Sequence, residues 1–247
     1  MSLWPRRSWL KWSAGASALG LFYRLIEQER MVTKPIPTSG EQMPVIGLGT
    51  AATFAQAAES GNIAGLREVM LMLVKHGGKI CDTAPAYGAS EQVAGRIARE
   101  ASITEKIFWA TKVNVATENG QADPAKAKAQ IERSFRRIKK RKIDLIQVHN
   151  LGDVLTQLGL LKDMKAEGRV RYIGVTTTLP QRYNDLVKIM KSEPLDFIGV
   201  NYAVDDRGVE DAILPLARDR KIAVLAYAPL GRTRLFRRVG DRPWPIG

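Results

Sequence analysis

At 247 residues, the chain has the length of one large α/β domain with a well-buried core. Hydrophobic residues at 45% and charged residues at 26% exclude global disorder. The net charge of +13 raises nucleic acid or anionic lipid as partners, but residues 1–34 carry six Lys or Arg against two Glu, and residues 231–247 five Arg against one Asp, so much of the excess is terminal. The densest internal run, Arg136 to Lys142, closes a predicted helix, where cations suit the negative helix end. Without interleaved aromatics it reads as a solvated helix terminus, and no nucleic-acid partner is expected. The single cysteine, Cys81, excludes an internal disulfide and a cysteine-type zinc site. With only His76 and His149 a histidine cluster is excluded too, and no structural metal is expected.

In chain order, residues 1–34 form a leader. Pro5-Arg6-Arg7-Ser8-Trp9-Leu10-Lys11 followed by the weakly apolar Trp12 to Tyr23 resembles a bacterial twin-arginine export signal. The resemblance implies a periplasmic or exported protein that meets the membrane only in transit. A basic amphipathic arm, an uncleaved anchor or a cytoplasmic location are the alternatives. The twelve residues from Trp12 to Tyr23 are too few to span a bilayer as a helix.

A barrel domain is expected over residues 35–247. After the polar, proline-containing linker Val32 to Gln42, Met43 to Thr50 reads as a strand ending in Gly47-Leu48-Gly49-Thr50. This is no dinucleotide fingerprint, because the third glycine is missing and no helix opens at the turn. Ile63 to Lys75 is a helix by the spacing of Leu66, Val69, Met70 and Leu73, stopped by His76-Gly77-Gly78, so His76 reads as a helix end. Strands are then predicted at Lys79–Thr83, Ile107–Val113, Ile143–His149, Val170–Val175, Asp196–Tyr202 and Ile222–Ala226. Between them lie helices at Glu91–Glu100, Pro124–Lys140, Val154–Glu167, Gln181–Lys191 and Glu210–Asp219. Near-continuous apolar strands alternating with amphipathic helices indicate parallel strands buried on both faces. They close into a (β/α)8 barrel or leave an open doubly wound sheet. Asp82, Lys112 and His149 each end a successive strand, and convergence of such ends on one mouth favours the barrel.

Together these ends carry a chemistry. A phenol ordinarily keeps its proton until pH ~10, and a nearby ammonium, itself held by a carboxylate, favours the phenolate. Asp82, Lys112 and Tyr87 therefore form a credible proton donor, and His149 a hydrogen-bond donor to a carbonyl oxygen. Such a group protonates the alkoxide formed when hydride reaches a carbonyl. A Schiff-base lyase using Lys112 as nucleophile is an alternative that the adjacent Asp82 and Tyr87 disfavour. Cys81, alternating with Asp82, faces away from it.

The chain resembles an aldo-keto reductase. The pieces are GLGT at Gly47, DTAPAYGASEQVAG from Asp82, TK at Thr111, RSFRRIKKRKIDLIQVHN from Arg133, GRVRYIGV from Gly168, VNY at Val200 and AYAPLG at Ala226. They run in the family's order from about Met43 to Gly231. The resemblance implies a (β/α)8 TIM barrel, reversible reduction of a small-molecule carbonyl, and NADPH, less often NADH, as cofactor. The family's catalytic tetrad falls on Asp82, Tyr87, Lys112 and His149, with Tyr87 the proton donor. Cofactor-binding positions fall on Gly49, Thr50, Thr176, Thr177, Tyr227, Leu230 and Gly231, with Tyr227 in the place of the aromatic that stacks on nicotinamide. Two departures stand out. Thr176-Thr177 replaces a Ser-Asn pair, and Gly199 stands where many members have glutamine. After Gly231 the family continues through a loop, a helix, an eighth strand and a segment gripping the adenosine 2′-phosphate. The sixteen residues RTRLFRRVGDRPWPIG cannot supply them, so a truncated barrel of about seven strands with open edges is expected. A catalytically inactive remnant or a nucleotide sensor is the alternative function.

Overall fold

Seven strands of the chain pair in the order in which they occur, all parallel: β3 (Gly47–Gly49), β4 (Ile80–Asp82), β5 (Phe108–Val113), β6 (Ile143–His149), β7 (Val170–Thr177), β8 (Phe197–Asn201) and β9 (Ala223–Tyr227). They are seen in a computed structural model that describes residues 31–117, 120–232 and 234–240. The twin-arginine-like motif and the tail beyond residue 240 lie outside the described residues.

Helices connect the strands: α1 (Thr53–Glu59) and α2 (Ile63–Lys75) before β4, then α3 (Ser90–Glu100), α4 (Pro124–Ile138), α5 (Val154–Ala166), α6 (Tyr183–Ser192) and α7 (Ile213–Asp219), with α8 (Arg234–Val239) after β9. Helix α4 shows why they form. Asp123 caps it, accepting from the backbone N–H of Ala125 at 2.8 Å and of Lys126 at 3.3 Å, and Pro124 fills the first position, where no N–H is needed. Its buried face, Ala127, Ile131, Ser134, Phe135 and Ile138, follows the helical period. Helix α3 crosses its end at Gly95, where a Cβ would stand 2.1 Å from the Arg137 carbonyl oxygen.

Strands β4 and β5 are buried throughout and β6 to β8 nearly so, as parallel strands between a barrel interior and a helical layer must be. The outer core places Cys81, Trp109, Ile146, Val148, Ile173, Val175, Ile198 and Val200 against the helices. A smaller inner core of Ile80, Phe108, Ala110, Leu145, Tyr172 and Phe197 fills the N-terminal half of the barrel.

Two expectations are corrected. The run Met43–Thr50 is not one strand. Gln42–Pro44 forms β2, paired antiparallel with β1 (Thr33–Pro35) in a hairpin, and only Gly47–Gly49 joins the large sheet. Pro44 has no N–H to continue a ladder, and Val45 and Ile46 are exposed in the link. The expected linker Val32–Gln42 thus contains a strand and a turn, and Ile36 and Met43 pack into the inner core. The Tyr172 hydroxyl donates to Glu41 at 2.8 Å and Arg171 bridges Glu41 and Asp144, so the hairpin closes the N-terminal end of the barrel. Helix α1 was also absent from the sequence expectation.

The sheet does not close on itself among the described residues. Strands β3 and β9 each have one neighbour and face a shared cavity of about 680 Å³ lined by residues of both. This is an incomplete (β/α)8 barrel with seven of the eight strands in place.

Candidate active site

Alternation along each strand sorts its side chains between interior and helical layer. On the inner face β4 carries Ile80 then Asp82; β5 carries Phe108, Ala110, Lys112; β6 carries Leu145, Gln147, His149; β9 carries Ala223, Leu225, Tyr227. The interior therefore turns from apolar at the strand starts to polar at their C-terminal ends, the face on which barrels of this kind place their chemistry.

Lys112, only 1% exposed, donates from Nζ to Asp82 Oδ1 at 2.7 Å and to the Thr83 carbonyl at 2.8 Å. Its ammonium stands 5.1 Å from the centre of the Tyr87 ring and 5.4 Å from that of Tyr227. Tyr87 is presented by the turn after β4, whose backbone donates from Tyr87 N to Ala84 O at 3.0 Å. Gly88, with φ +52°, follows it, and a Cβ there would fall 1.9 Å from Glu59 Oε1. The edge of the Tyr87 and His149 rings meet with centroids 5.9 Å apart and planes at 83°. Burial, and then the Lys112 charge, push the His149 pKa down from 6.5 to about 4. The imidazole is neutral at neutral pH and carries one N–H to donate. Thus the structure brings Asp82, Lys112, Tyr87 and His149 into one contiguous cluster of side chains.

Tyr227 joins them from β9. Its hydroxyl lies 3.2 Å from Asp82 Oδ2 and 3.0 Å from Gln147 Oε1. Burial first, then the Asp82 charge, raise its pKa well above 10, so it stays a phenol. Gln147 went unremarked in the sequence. The signal for it was the period of two counted back from His149, which puts it inward between Leu145 and His149. Cys81 faces the helices, and burial, then Asp82, push its thiol up to about 12, so it is not a nucleophile here.

The remaining expected positions lie at the ends of β3, β7 and β9. Thr50 donates from its backbone N–H to Asp82 O at 2.9 Å, while its buried Oγ1 has no hydrogen-bond partner. Thr176 Oγ1 donates to the Gly199 carbonyl at 2.9 Å, and Thr177 Oγ1 accepts from Leu179 N at 3.2 Å. Leu230 is half exposed. Gly231, with φ +62°, adjoins Asp205, which takes the Arg234 guanidinium at 2.8 and 2.9 Å. Gly49 lines the cavity between β3 and β9, as do Asp82 and Tyr227. The orphaned buried Thr50 hydroxyl, at the end of β3, and the uncommitted Thr177 proton, at the end of β7, are groups that suit a polar ring substituent such as a carboxamide. Among the described residues no three His, Cys, Asp or Glu side chains gather as a metal site.

A sequence profile of the Aldo/keto reductase family matches residues 45–244. Over 206 residues the chain is 29% identical to aldo-keto reductase YhdN of Bacillus subtilis (strain 168), covering 80% of this chain and 61% of that protein. It therefore spans less than two thirds of that relative's length. The fold is similar to that of aldo-keto reductase AKR11C1 from Bacillus halodurans in its holo form, with a TM-score of 0.68, 25% identity and coverage of 88% of this chain and 71% of that one. An aldo-keto reductase from Klebsiella pneumoniae in complex with NADPH shares the fold at a TM-score of 0.68 and 24% identity, over 83% of this chain and 71% of that one. Since the family profile covers most of its length, the chain belongs to the aldo/keto reductase family.

Proposed function

We propose that this barrel is the catalytic unit of an oxidoreductase that reduces a small aldehyde or ketone to an alcohol with NADPH, NADH being the alternative nucleotide. One observation carries the reading: a buried ammonium held by a carboxylate stands 5.1 Å from the Tyr87 ring, and the ring's other neighbour is a neutral imidazole. A carbonyl that receives hydride becomes an alkoxide and needs a proton. Tyr87 gives it, and Lys112, fixed by Asp82, stabilises the phenolate left behind. His149 donates a hydrogen bond to the carbonyl oxygen, polarising it without carrying a charge of its own. When bound, the reduced nicotinamide supplies the hydride. The Thr50 hydroxyl, the Thr177 hydroxyl proton and the Thr176 oxygen are the groups of this chain that would hold its carboxamide. Gly49, Tyr227, Leu230 and Gly231 complete the set. NADPH bound to the Klebsiella pneumoniae homologue supports the choice of nucleotide.

The test is Tyr87→Phe in the purified protein. NADPH oxidation by a generic aldehyde is expected to vanish while the unfolding curve stays that of the parent; parent-level turnover removes Tyr87 from its role. The open gap between β3 and β9 favours a second reading, a nucleotide-binding protein without turnover. A fluorescence titration with NADPH separates the two, since that reading requires binding with no aldehyde-dependent oxidation. Export by the twin-arginine route is a further proposal, supported by Arg6-Arg7 with Leu10 and Lys11. Replacing both arginines with lysine is expected to retain the protein in the cytoplasm of a bacterial host, and unchanged periplasmic recovery would count against it.

A further inference from the structure

The inner face of β6 carries a residue to which the reductase reading gives no task. Gln147 is fully buried, and its Nε2 donates to the Val175 carbonyl on β7 at 3.3 Å, which turns its Oε1 into the barrel. That oxygen is 3.0 Å from the Tyr227 hydroxyl, and Asp82 Oδ2 is 3.2 Å from the same hydroxyl. A phenol has one proton to donate. Two oxygens therefore compete for it, the nearer one neutral and the farther one charged. Charge makes a carboxylate the stronger acceptor, while its shorter distance favours the amide.

The competition matters because of what the other carboxylate oxygen does. Asp82 Oδ1 holds Lys112 at 2.7 Å. Each time the Tyr227 hydroxyl donates its hydrogen bond to Oδ2, part of the carboxylate's charge is answered there; each time it turns to Gln147, the full charge is left to Lys112. Gly199 on β8 makes the contact possible. A Cβ there would stand 2.5 Å from Tyr227 Cε2 and 2.6 Å from its hydroxyl, so the ring lies in the space the missing side chain leaves.

We propose that Gln147 is a positioning residue of this site: by competing with Asp82 for the single hydroxyl proton of Tyr227, it sets how much of the Asp82 charge is left to hold Lys112. The proposal rests on the reductase reading for its meaning, but its geometry can be tested apart from turnover.

Gln147→Met keeps length and bulk and removes the amide oxygen; Gln147→Leu does the same with another shape, so one folded variant suffices. In protein isotope-labelled at the tyrosine ζ carbons, the Tyr227 resonance is identified by its loss in Tyr227→Phe. It is expected to move in the Gln147 variants, because the phenol's hydrogen bond is then donated wholly to Asp82. In turnover, Gln147→Met is expected to lower kcat about tenfold with KM for the aldehyde changed less than about threefold, and to have no further effect in a Tyr227→Phe background. A Tyr227 resonance unmoved in both folded variants overturns the proposal, as do kcat penalties that multiply in the double variant. Failure of the reductase reading shows separately, as parent-level turnover in Tyr87→Phe; the resonance still reports whether Gln147 holds the phenol.

Discussion

Replacing Lys112 with Met removes a cation whose side chain is 1% exposed and whose carboxylate partner is 12% exposed, at 2.7 Å. Two groups are left behind. Asp82 loses its counter-ion in a buried position, where the Tyr227 hydroxyl is the side-chain donor that remains, and the Thr83 carbonyl loses its donor. Breaking a buried pair by removing one partner costs about 3–5 kcal/mol, and stranding a buried acceptor adds about 1 kcal/mol. For a domain of this size each kcal/mol moves Tm by roughly 2–4 °C. A fall of roughly 8–24 °C is therefore expected for Lys112→Met. Asp82→Asn alone strands the ammonium instead and is expected to lose a similar amount. The double variant removes both charges and is expected to lie within about 2 kcal/mol of the parent, well above either single variant. Urea unfolding of the four proteins followed by circular dichroism gives the cycle without reference to activity. A Lys112→Met protein within about 1 kcal/mol of the parent, or a double variant less stable than both singles, would refute the claim that this pair is a coupled buried unit.

The pH dependence of stability tests His149. Between pH 6.5 and about 4 the unfolded chain takes up a proton that the folded imidazole refuses, so folding stability rises with pH across this window and is lost as pH falls through it. Urea midpoints measured over that range should show the slope in the parent and a flatter one in His149→Gln. Thr50→Val deletes the orphaned hydroxyl; thermal melts should show the nucleotide-free protein stabilised by about 1 kcal/mol and the shift produced by NADPH reduced. At Gly95 a Cβ would meet the Arg137 carbonyl at 2.1 Å and Ile138 Cα at 2.8 Å, both rigid helix backbone. Gly95→Ala is expected to cost about 1–3 kcal/mol in a urea titration, and a neutral result would mean that α3 and α4 separate easily.

Period and stop signals carry most of the fold. Helix α2 runs over Ile63–Lys75 because its apolar spacing ends at His76-Gly77-Gly78, and Gly77 takes the positive φ of +84° that closes it. Strand β6 runs over Ile143–His149 because an apolar run with no Gly or Pro spans those residues. Helix α1 was not legible: only Phe54 and Ala58 of Thr53–Glu59 are buried and no side chain caps it, so it leaves neither a stripe nor a start signal. Strand β1 hid in a proline-bearing stretch, since an edge strand tolerates Pro35 where a central one would not. At the site, strand ends pointed to Asp82, Lys112 and His149 because each is a polar residue closing an apolar run. The inward reach of Tyr227 left no such mark, because it depends on the missing side chain of Gly199 on the neighbouring strand, a pairing that only the assembled sheet creates.

The open side of the barrel divides the site by strand. Asp82, Lys112 and His149 stand on β4, β5 and β6, three successive neighbours in the sheet, and Tyr87 on the turn that follows β4. Their mutual positions are fixed by pairings that do not involve the gap. Gly49 and Thr50, by contrast, belong to β3 and its end, and Tyr227, Leu230 and Gly231 to β9 and its loop, which are the two edges facing the cavity. Anything that widens or closes the gap therefore acts first on Gly49, Thr50, Tyr227, Leu230 and Gly231, and leaves the proton-donating group, and Thr176 and Thr177 on β7, in place. The β3 edge is tied to Asp82 through the backbone, by the Gly49–Asp82 pairing and the Thr50 N–H on the Asp82 carbonyl, whereas the β9 edge meets Asp82 through the Tyr227 hydroxyl. A shift of the β9 edge thus reaches the charged pair through one phenol, and Gln147, on the central strand β6, is the group that shares that phenol's hydrogen bond with Asp82.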